Sequence, residues 1–279
     1  MRDSTNLLSR HNDGRPRIMG VINCTPDSFY GRSRFEQIEH SLEIVKKMIN
    51  DGADWIDIGG ESTRPGSSEV SIDEEIRRTV PLISEIRKRF PNQAISIDTR
   101  RHQVAKEAII AGADMINDVS GLRDPEMFNL VISTKAHVCI MHMLGEPSNM
   151  QNSPDYINVV QEVSSSLLEK ARKLLGKGHP LNRICLDPGI GFGKTLEHNI
   201  SLLRNSESLR GTEGFSILWG VSRKSMFRDL LGREDTNERL AGTLGVASYA
   251  QSKGVDILRV HDVVEHVDIG RTLSKLELN

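Results

Sequence analysis

The chain of 279 residues carries 36 Lys and Arg against 38 Asp and Glu, and this length suits one α/β barrel or two smaller domains. The near-zero net charge, with no basic excess and no charged block, argues against a nucleic-acid partner. Residues before Arg17 lack the apolar run of a signal peptide and no stretch reaches membrane-spanning length, so we expect a soluble protein with no membrane partner.

Apolar runs alternate with helical periodicity after a polar leader at 1–16, which we expect to be loose. The apolar runs predict eight strands, at 17–23, 54–58, 94–98, 115–119, 137–142, 183–186, 215–221 and 256–260. Apolar residues at helical spacing predict helices between the strands, at 35–50, after Ser71 through Ile86, near 102–111 and 125–134, at about 155–175 and at 196–203, after 221, and at the end of the chain to 276. Ser71 with Glu74 fits a capping box, and Gly52 fits the end of the first helix.

Eight strands alternating with helices predict a parallel sheet, and eight units in one chain predict closure into a single-domain (β/α)8 TIM barrel over 17–279. A short pattern beginning at Gly52, Gly112 and Gly254 recurs at a spacing that fits one strand–helix unit, which disfavours two domains. A doubly wound open sheet remains the alternative. The three cysteines have no metal-ligand spacing and lie mostly in apolar runs, so reduced thiols and a cytoplasmic location are expected.

The octet Asp187-Pro-Gly-Ile-Gly-Phe-Gly-Lys194 follows the sixth predicted strand. Its glycines allow a tight turn and close approach to a ligand, and Thr195 can cap the next helix. A carboxylate at the end of a strand, before a glycine loop and a helix, is an active-site arrangement in parallel α/β folds. Pro188 stands where a P-loop needs glycine, so that motif is rejected. A plain tight turn capped by Asp187 is the alternative.

Nearly every predicted strand ends in a polar residue, and in a barrel these ends converge on one mouth. The set is Asn23, Asp57, Asp98, Asn117, His142, Asp187, Arg259 and His261, with 222–225 after the seventh strand. The carboxylates and amides suit a heterocycle rich in N–H donors, and the cations suit a phosphorylated group. The carbonyl oxygen of Asn23 could bind a divalent cation. Residue types alone indicate a barrel enzyme acting on a phosphorylated heterocycle.

Eight motifs occur in order along the chain: Asn23-Cys-Thr-Pro-Asp-Ser-Phe29, Asp57-Ile-Gly-Gly-Glu-Ser-Thr-Arg-Pro-Gly66, Ser96-Ile-Asp-Thr99, Ile116-Asn-Asp-Val119, Met141-His-Met143, the octet, Ser222-Arg-Lys224 and Arg259-Val-His-Asp262. Together they resemble the dihydropteroate synthase family, the folate-pathway enzymes that sulfonamides inhibit. The resemblance covers roughly 17–275. It implies that a dihydropterin pyrophosphate loses pyrophosphate along an SN1-like path and that p-aminobenzoate takes its place.

The resemblance also assigns roles to residues of this chain. It implies pterin contacts at Asp98, Asn117, Val119, Met141, Asp187, Phe192 and Lys224. It implies an aminobenzoate pocket from Phe29, Thr63, Arg64, Pro65 and Ser225, and pyrophosphate contacts at Arg259 and His261. Lys224, Arg259 and Asp27 are the catalytic groups it implies, Asn23 the Mg²⁺ ligand, and a homodimer the assembly.

The first loop departs from the family pattern, since Gly31 replaces an aspartate thought to stabilise the pterin cation. Two other hypotheses share the barrel and the pterin carboxylates. One is a module that presents a methylated folate to a partner, which has no need for 63–65, Lys224 or the Arg259 and His261 pair. The other is a relative that binds pterin without turnover, which Gly31 favours.

Overall fold

The computed structural model describes residues 7–24, 34–62, 69–145, 150 and 154–277. The strands are Arg17–Asn23 (β1), Trp55–Gly59 (β2), Ala94–Asp98 (β3), Met115–Asp118 (β4), His137–Met141 (β5), Ile184–Asp187 (β6), Ser216–Trp219 (β7) and Ile257–Val260 (β8). The α-helices of these ranges are Arg34–Asn50 (α1), Ile72–Arg89 (α2), His102–Ala111 (α3), Pro125–Thr134 (α4), Val159–Gly176 (α5), Leu196–Arg204 (α6), Met226–Leu231 (α7), Leu240–Ser252 (α8) and Val263–Glu277 (α9).

Every strand pairs in parallel with the next, and β8 pairs with β1 to close the barrel. Gly20 of β1 lies opposite Val260 of β8, a pairing that an open sheet does not make. The predicted (β/α)8 barrel is therefore confirmed and the doubly wound alternative is wrong. Because all eight carboxyl ends face one way, side chains at those ends meet at one mouth.

The strands alternate between two apolar environments. Ile56 and Ile58 of β2 belong to the large cluster that packs the helices onto the barrel, whereas Trp55 belongs to a separate cluster inside it. The inner cluster contains Leu8, Met19, Trp55, Ala94, Met115, Cys139, Cys185, Leu218 and Ile257. Since successive side chains of a strand point to opposite faces, the inward position after Trp55 is Asp57. The barrel interior therefore changes from apolar to polar towards its carboxyl end.

Residues 7–16 close the amino end of the barrel, so the expectation of a loose leader is wrong for this part. Leu8 is only 1% exposed and belongs to the inner cluster. The carbonyl of Leu7 accepts a hydrogen bond of 3.0 Å from the indole Nε1 of Trp55. Asp54, at the start of β2, binds both Arg17 and His11 at 3.0 Å. Burying Leu8 removes apolar surface from water that the open barrel end would otherwise expose.

Side-chain caps fix the start of several helices. Ser71 accepts from the backbone N–H of Glu74 at the start of α2, and Thr195 forms a reciprocal capping box with His198 at the start of α6. Helix α5 begins at Val159 and not at the predicted 155, because Asn158 accepts from Gln161 and caps it there. None of the helices in the described ranges is long and apolar enough to cross a membrane.

Candidate active site

The polar inward positions of neighbouring strands form one layer at the barrel mouth. Asp98 of β3 lies opposite Asn117 of β4, and Met141 of β5 lies opposite Asp187 of β6. The side chains of Asp98, Asn117 and Asp187 are almost fully buried. The three residues predicted from the octet and the neighbouring strand ends are therefore brought to the same end of the barrel.

Arg259 of β8 reaches across this layer to two carboxylates. Its Nε donates to Asp57 Oδ2 at 2.6 Å, and its second terminal nitrogen donates to Asp98 Oδ2 at 2.5 Å. Asn117 Nδ2 also donates to Asp57, at 3.4 Å. The sequence suggested separate half-sites for carboxylates and cations, but this cation lies between the carboxylates. Asp57 is the binding partner that the sequence assigned to no role.

Asp57 and Asp98 each keep one buried oxygen without a hydrogen-bond partner in the described part of the chain. Burial raises the pKa of Asp98 to about 7, although Arg259 opposes the shift. For Arg259, burial acts to lower the pKa, but Asp57 and Asp98 outweigh it and the net shift is upward. The guanidinium therefore stays charged, and Asp98 presents an unsatisfied acceptor that a ligand N–H can complete.

The octet forms the turn that carries Asp187. Asp187 Oδ1 accepts from the backbone N–H of Gly189 at 2.7 Å, so the carboxylate does cap its own turn. Its other oxygen lies beside Gly220, 3.7 Å from where a Cβ would stand on that glycine. Gly189 has φ +66°, and a Cβ there would lie 1.9 Å from the carbonyl oxygen of His142. Only glycine allows this approach of the β5 and β6 loops.

The second oxygen of Asp187 lies near a cation and an apolar wall. Lys224 Nζ donates to the carbonyl of Ile190 and lies 4.3 Å from the ring centre of Phe192. Burial lowers the pKa of Lys224 to about 8, and Asp187 opposes the shift. Burial also raises the pKa of Asp187, with Lys224 the largest opposing charge. A small apolar cluster of Val119, Met141, Met143 and Met150 packs with Phe192. A planar ring entering between this wall and the carboxylates would find both apolar and hydrogen-bonding contact.

Four predicted residues lie at the rim. His261 is exposed and its Nδ1 lies 3.0 Å from the hydroxyl of Ser222. Arg223, considered for a phosphate, instead binds Asp262 through two nitrogens, with a shortest distance of 2.5 Å. Ser225 is exposed at the start of α7. Asn23 is exposed at the end of β1, and its Oδ1 lies 3.9 Å from where a Cβ would stand on Gly59.

The remaining predicted residues lie outside the described ranges. They are Asp27, Phe29, Gly31, Thr63, Arg64 and Pro65. Glu61 lies shortly before 63–65, and its carboxylate accepts from the backbone N–H of Val70 at 3.1 Å. The same carboxylate binds Arg100 at 3.2 Å and Arg101 at 3.0 Å. These contacts hold Glu61 and Val70 together beside the end of β3.

Lys194, the last residue of the octet, is a buried cation that the sequence left without a role. Its side chain is 4% exposed, and burial lowers its pKa to about 7. Its Nζ lies 2.9 Å from the carbonyl oxygen of Phe192. The sequence signal for this residue is a lysine at the end of a glycine loop, a pattern that it shares with the P-loop excluded by Pro188.

Comparisons with known proteins agree with this geometry. Residues 19–261 match the family model described as "Pterin binding enzyme". Dihydropteroate synthase of Haemophilus influenzae is 41% identical over 254 residues, which is 91% of each chain. A Yersinia pestis dihydropteroate synthase, solved with a sulfonamide drug complex, has a TM-score of 0.88 at 38% identity and covers 96% of this chain, with 97% of its own chain covered.

The dihydropteroate synthase of Burkholderia cenocepacia, solved in complex with 7,8-dihydropteroate, has a TM-score of 0.84 at 40% identity. That match covers 94% of this chain and 91% of the other. The matched range includes every strand of the barrel and the polar layer at its mouth. With its closed barrel and buried polar mouth, the chain belongs to the dihydropteroate synthase family of pterin-binding enzymes.

Proposed function

We propose that this chain condenses 6-hydroxymethyl-7,8-dihydropterin pyrophosphate with p-aminobenzoate, releasing pyrophosphate and forming 7,8-dihydropteroate. The observation that carries the proposal is the buried acceptor oxygen of Asp98, which lacks a partner within the described residues at the polar mouth. A pterin edge rich in N–H donors supplies the partner that this oxygen lacks, and the second oxygen of Asp187 can accept from the same edge. Relatives of this name, covered over about nine-tenths of their length, support the same reaction.

The described residues suit an SN1-like path. Asp98, Asn117 and Asp187 hold the pterin by its polar edge, while Met141 and Phe192 exclude water from its faces. The exocyclic carbon–oxygen bond breaks, and the electron pair leaves with the pyrophosphate. The aromatic amine then attacks the cationic carbon and loses a proton. Because the amine is a weak nucleophile, binding the leaving group and positioning the amine supply most of the acceleration.

We assign the departing charge to Arg259 and Lys224, two buried cations that lie among Asp57, Asp98 and Asp187 at the barrel mouth. Arg259 binds the Oδ2 atoms of Asp57 and Asp98, which leaves the Oδ1 atom of Asp98 for an N–H of the pterin. Its Nε bond to Asp57 can persist while a terminal nitrogen turns to the pyrophosphate. His261 at the rim adds a further donor on the same side as β8.

Mg²⁺ remains part of the proposal. Asn23 offers one exposed amide oxygen, and the described residues hold no cluster of three His, Cys, Asp or Glu that could bind a metal. One protein ligand fits Mg²⁺, which keeps several waters and is often held by substrate phosphates. When bound, the ion would neutralise charge on the pyrophosphate.

The aminobenzoate half of the site rests on the family resemblance of Phe29, Thr63, Arg64 and Pro65, and on Ser225. Glu61, two residues before Thr63, binds Arg101, which follows β3, the strand that carries Asp98. Ser225 is the one member of this set within the described ranges, and it is exposed on the loop after β7. A cytoplasmic location is also proposed, supported by three buried cysteines that are all free.

The experiment for the reaction mixes the pure protein with Mg²⁺, the pterin pyrophosphate and p-aminobenzoate, and identifies the product by mass. A product with the mass of dihydropteroate is expected, together with one pyrophosphate per turnover. Omitting p-aminobenzoate must abolish the product. Pterin binding without any product would instead support the relative that binds without turnover.

The homodimer is proposed from exposed apolar residues on α7 and α8. Leu230 and Leu231 are 48% and 49% exposed, and Tyr249 is 37% exposed. Leu231 lies against α8 at Gly242, so the two helices share one apolar surface. A surface of this kind on a large enzyme is a candidate for self-association.

We expect the double variant Leu230→Arg/Leu231→Arg to be monomeric where the parent is a dimer, because two buried cations would oppose association. Ile110→Arg on α3 is the matched control, since Ile110 is 70% exposed on another face. Light scattering after size-exclusion chromatography measures the mass. A monomeric parent, or a dimeric double variant, contradicts this interface.

A further inference from the structure

Lys194 ties together the two loops that carry the apolar wall of the pterin site. Its Nζ lies 2.9 Å from the carbonyl oxygen of Phe192 on the octet loop. It also lies 3.3 Å from the carbonyl oxygen of His142, and 3.2 Å from the ring Nδ1 of the same residue. His142 directly follows Met141 at the end of β5. The lysine therefore connects Phe192, one residue of the apolar wall, with the residue next to Met141, another residue of that wall.

The partners of Lys194 explain what the side chain does there. Within the described ranges no carboxylate lies at ion-pair distance from it, and its close partners are two carbonyls and one ring nitrogen. When Lys194 is charged, its ammonium group only donates, so Nδ1 of His142 accepts and the ring proton sits on Nε2. Burial lowers the pKa of His142 to about 3, with Lys194 the largest charge contribution. Both findings describe a neutral imidazole used as a ligand for the lysine.

The loops touch closely at the same place. His142 N–H donates to the carbonyl of Asp187 at 3.0 Å, and Gly189 packs directly on the His142 carbonyl. Lys194 is therefore the side-chain element of a contact that is otherwise formed by backbone. A buried lysine is costly unless its hydrogen bonds are satisfied, and its position here satisfies three.

We propose that Lys194 is a positioning residue that sets the spacing between Met141 and Phe192, and thereby the fit of the pterin ring. It touches no reacting atom. The proposal rests on the proposed function for the identity of the ring. The carboxylates Asp98 and Asp187 would recognise the polar edge of the pterin, while Lys194 would fix how its faces are held.

A second anchor keeps the loop folded when Lys194 is altered. The hydroxyl of Tyr156 donates to the carbonyl of Gly193 at 3.0 Å, and its ring packs edge-on against His198 at 5.0 Å. His198 is itself part of the capping box of α6. Tyr156→Phe therefore removes a hydrogen bond from the same loop without touching the tie between Phe192 and His142, which makes it the matched control.

The test compares Lys194→Met, which keeps the length without donors, with Lys194→Gln, which keeps a neutral donor. Calorimetry with a dihydropterin should show affinity about tenfold weaker for Lys194→Met, the equivalent of one ordinary hydrogen bond. Lys194→Gln should recover most of this loss, and Tyr156→Phe should change the affinity by less than about twofold. The KM of p-aminobenzoate at saturating pterin should stay within about twofold of the parent in all three.

A spectroscopic measurement reports on the tie itself. Nitrogen chemical shifts of His142 should show Nε2 protonated in the parent, and the pKa of His142 should rise towards its usual value in Lys194→Met. Unchanged pterin affinity in Lys194→Met, or equal losses for both substrates, would overturn the positioning role. A parent that binds pterin but makes no product contradicts only the proposed reaction, because the comparison of variants needs binding alone.

Discussion

Asp187→Asn weakens pterin binding by about 10- to 150-fold, corresponding to about 1.5–3 kcal/mol for hydrogen bonds to a charged group. The asparagine Oδ1 can still accept from Gly189 N–H, so the octet keeps its turn. The side chain then turns an amide N–H towards a ligand edge that is itself made of donors. The loss of one acceptor oxygen and the repulsion between the new amide N–H and the N–H groups of the pterin both weaken binding. Calorimetry with a dihydropterin lacking pyrophosphate measures the loss separately from leaving-group contacts.

Asp256→Asn is the control for this variant. Asp256 precedes β8 at the opposite end of the barrel, where its carboxylate accepts from Ile217 N–H at 2.9 Å and binds Arg210 at 2.9 Å. The same chemical change should lower the melting temperature there and leave pterin affinity unchanged. Equal affinity losses in both variants would show that Asp187 acts through general stability and not through the ligand.

The barrel was predictable because its signals are local. Each strand contributes a short apolar run, and each helix a periodic stripe with a cap such as Ser71 or Thr195. Polar residues at the strand ends then converge by topology alone, so Asp98, Asn117 and Asp187 could be grouped without coordinates. Asp57 belonged to the same set of strand ends, but that placement does not tell which side chain it meets.

The contacts that sequence could not predict join residues far apart in the chain. Asp57 and Arg259 are separated by 202 positions, and nothing local distinguishes their ion pair from two independent strand ends. Leu8 lies in a polar segment, and only the open end of the barrel makes it a core residue. The burial of Lys194 could not be predicted either, because nothing in the octet sequence indicates that this lysine is buried or that its partners are carbonyl oxygens.

Arg259→Met lowers the free energy of unfolding by about 3–5 kcal/mol, the cost of leaving a buried charge without its partner. The guanidinium of Arg259 binds both Asp57 and Asp98, at 2.6 and 2.5 Å. Removing it leaves two buried carboxylates in one layer, each already with an unsatisfied oxygen. Urea titration followed by circular dichroism measures the loss, and the barrel should remain folded in water at moderate pH.

The loss should depend on pH with a definite sign. Burial raises the pKa of Asp98 to about 7 even with Arg259 present, well above the 3.8 of a free aspartate. Without Arg259 that pKa rises further. Below pH 7 Asp98 is largely protonated in both native proteins, so its contribution to the difference is small there. Above about pH 7 the parent loses no further stability through Asp98, because that group is then ionised in both its native and unfolded states. The variant goes on losing stability until the pH passes its own higher Asp98 pKa, so the deficit widens above pH 7.

Two companion variants separate charge from geometry. Arg259→Lys keeps the charge but loses the planar fork, so it should satisfy one carboxylate and recover only part of the stability. Adding Asp98→Asn to Arg259→Met removes one of the two buried charges, so the double variant should be more stable than Arg259→Met above pH 7 and lose the widening of the deficit. A deficit that is the same at about pH 6 and pH 9 would mean that Asp98 does not carry the charge that Arg259 compensates, and the ion pair would then act chiefly through packing.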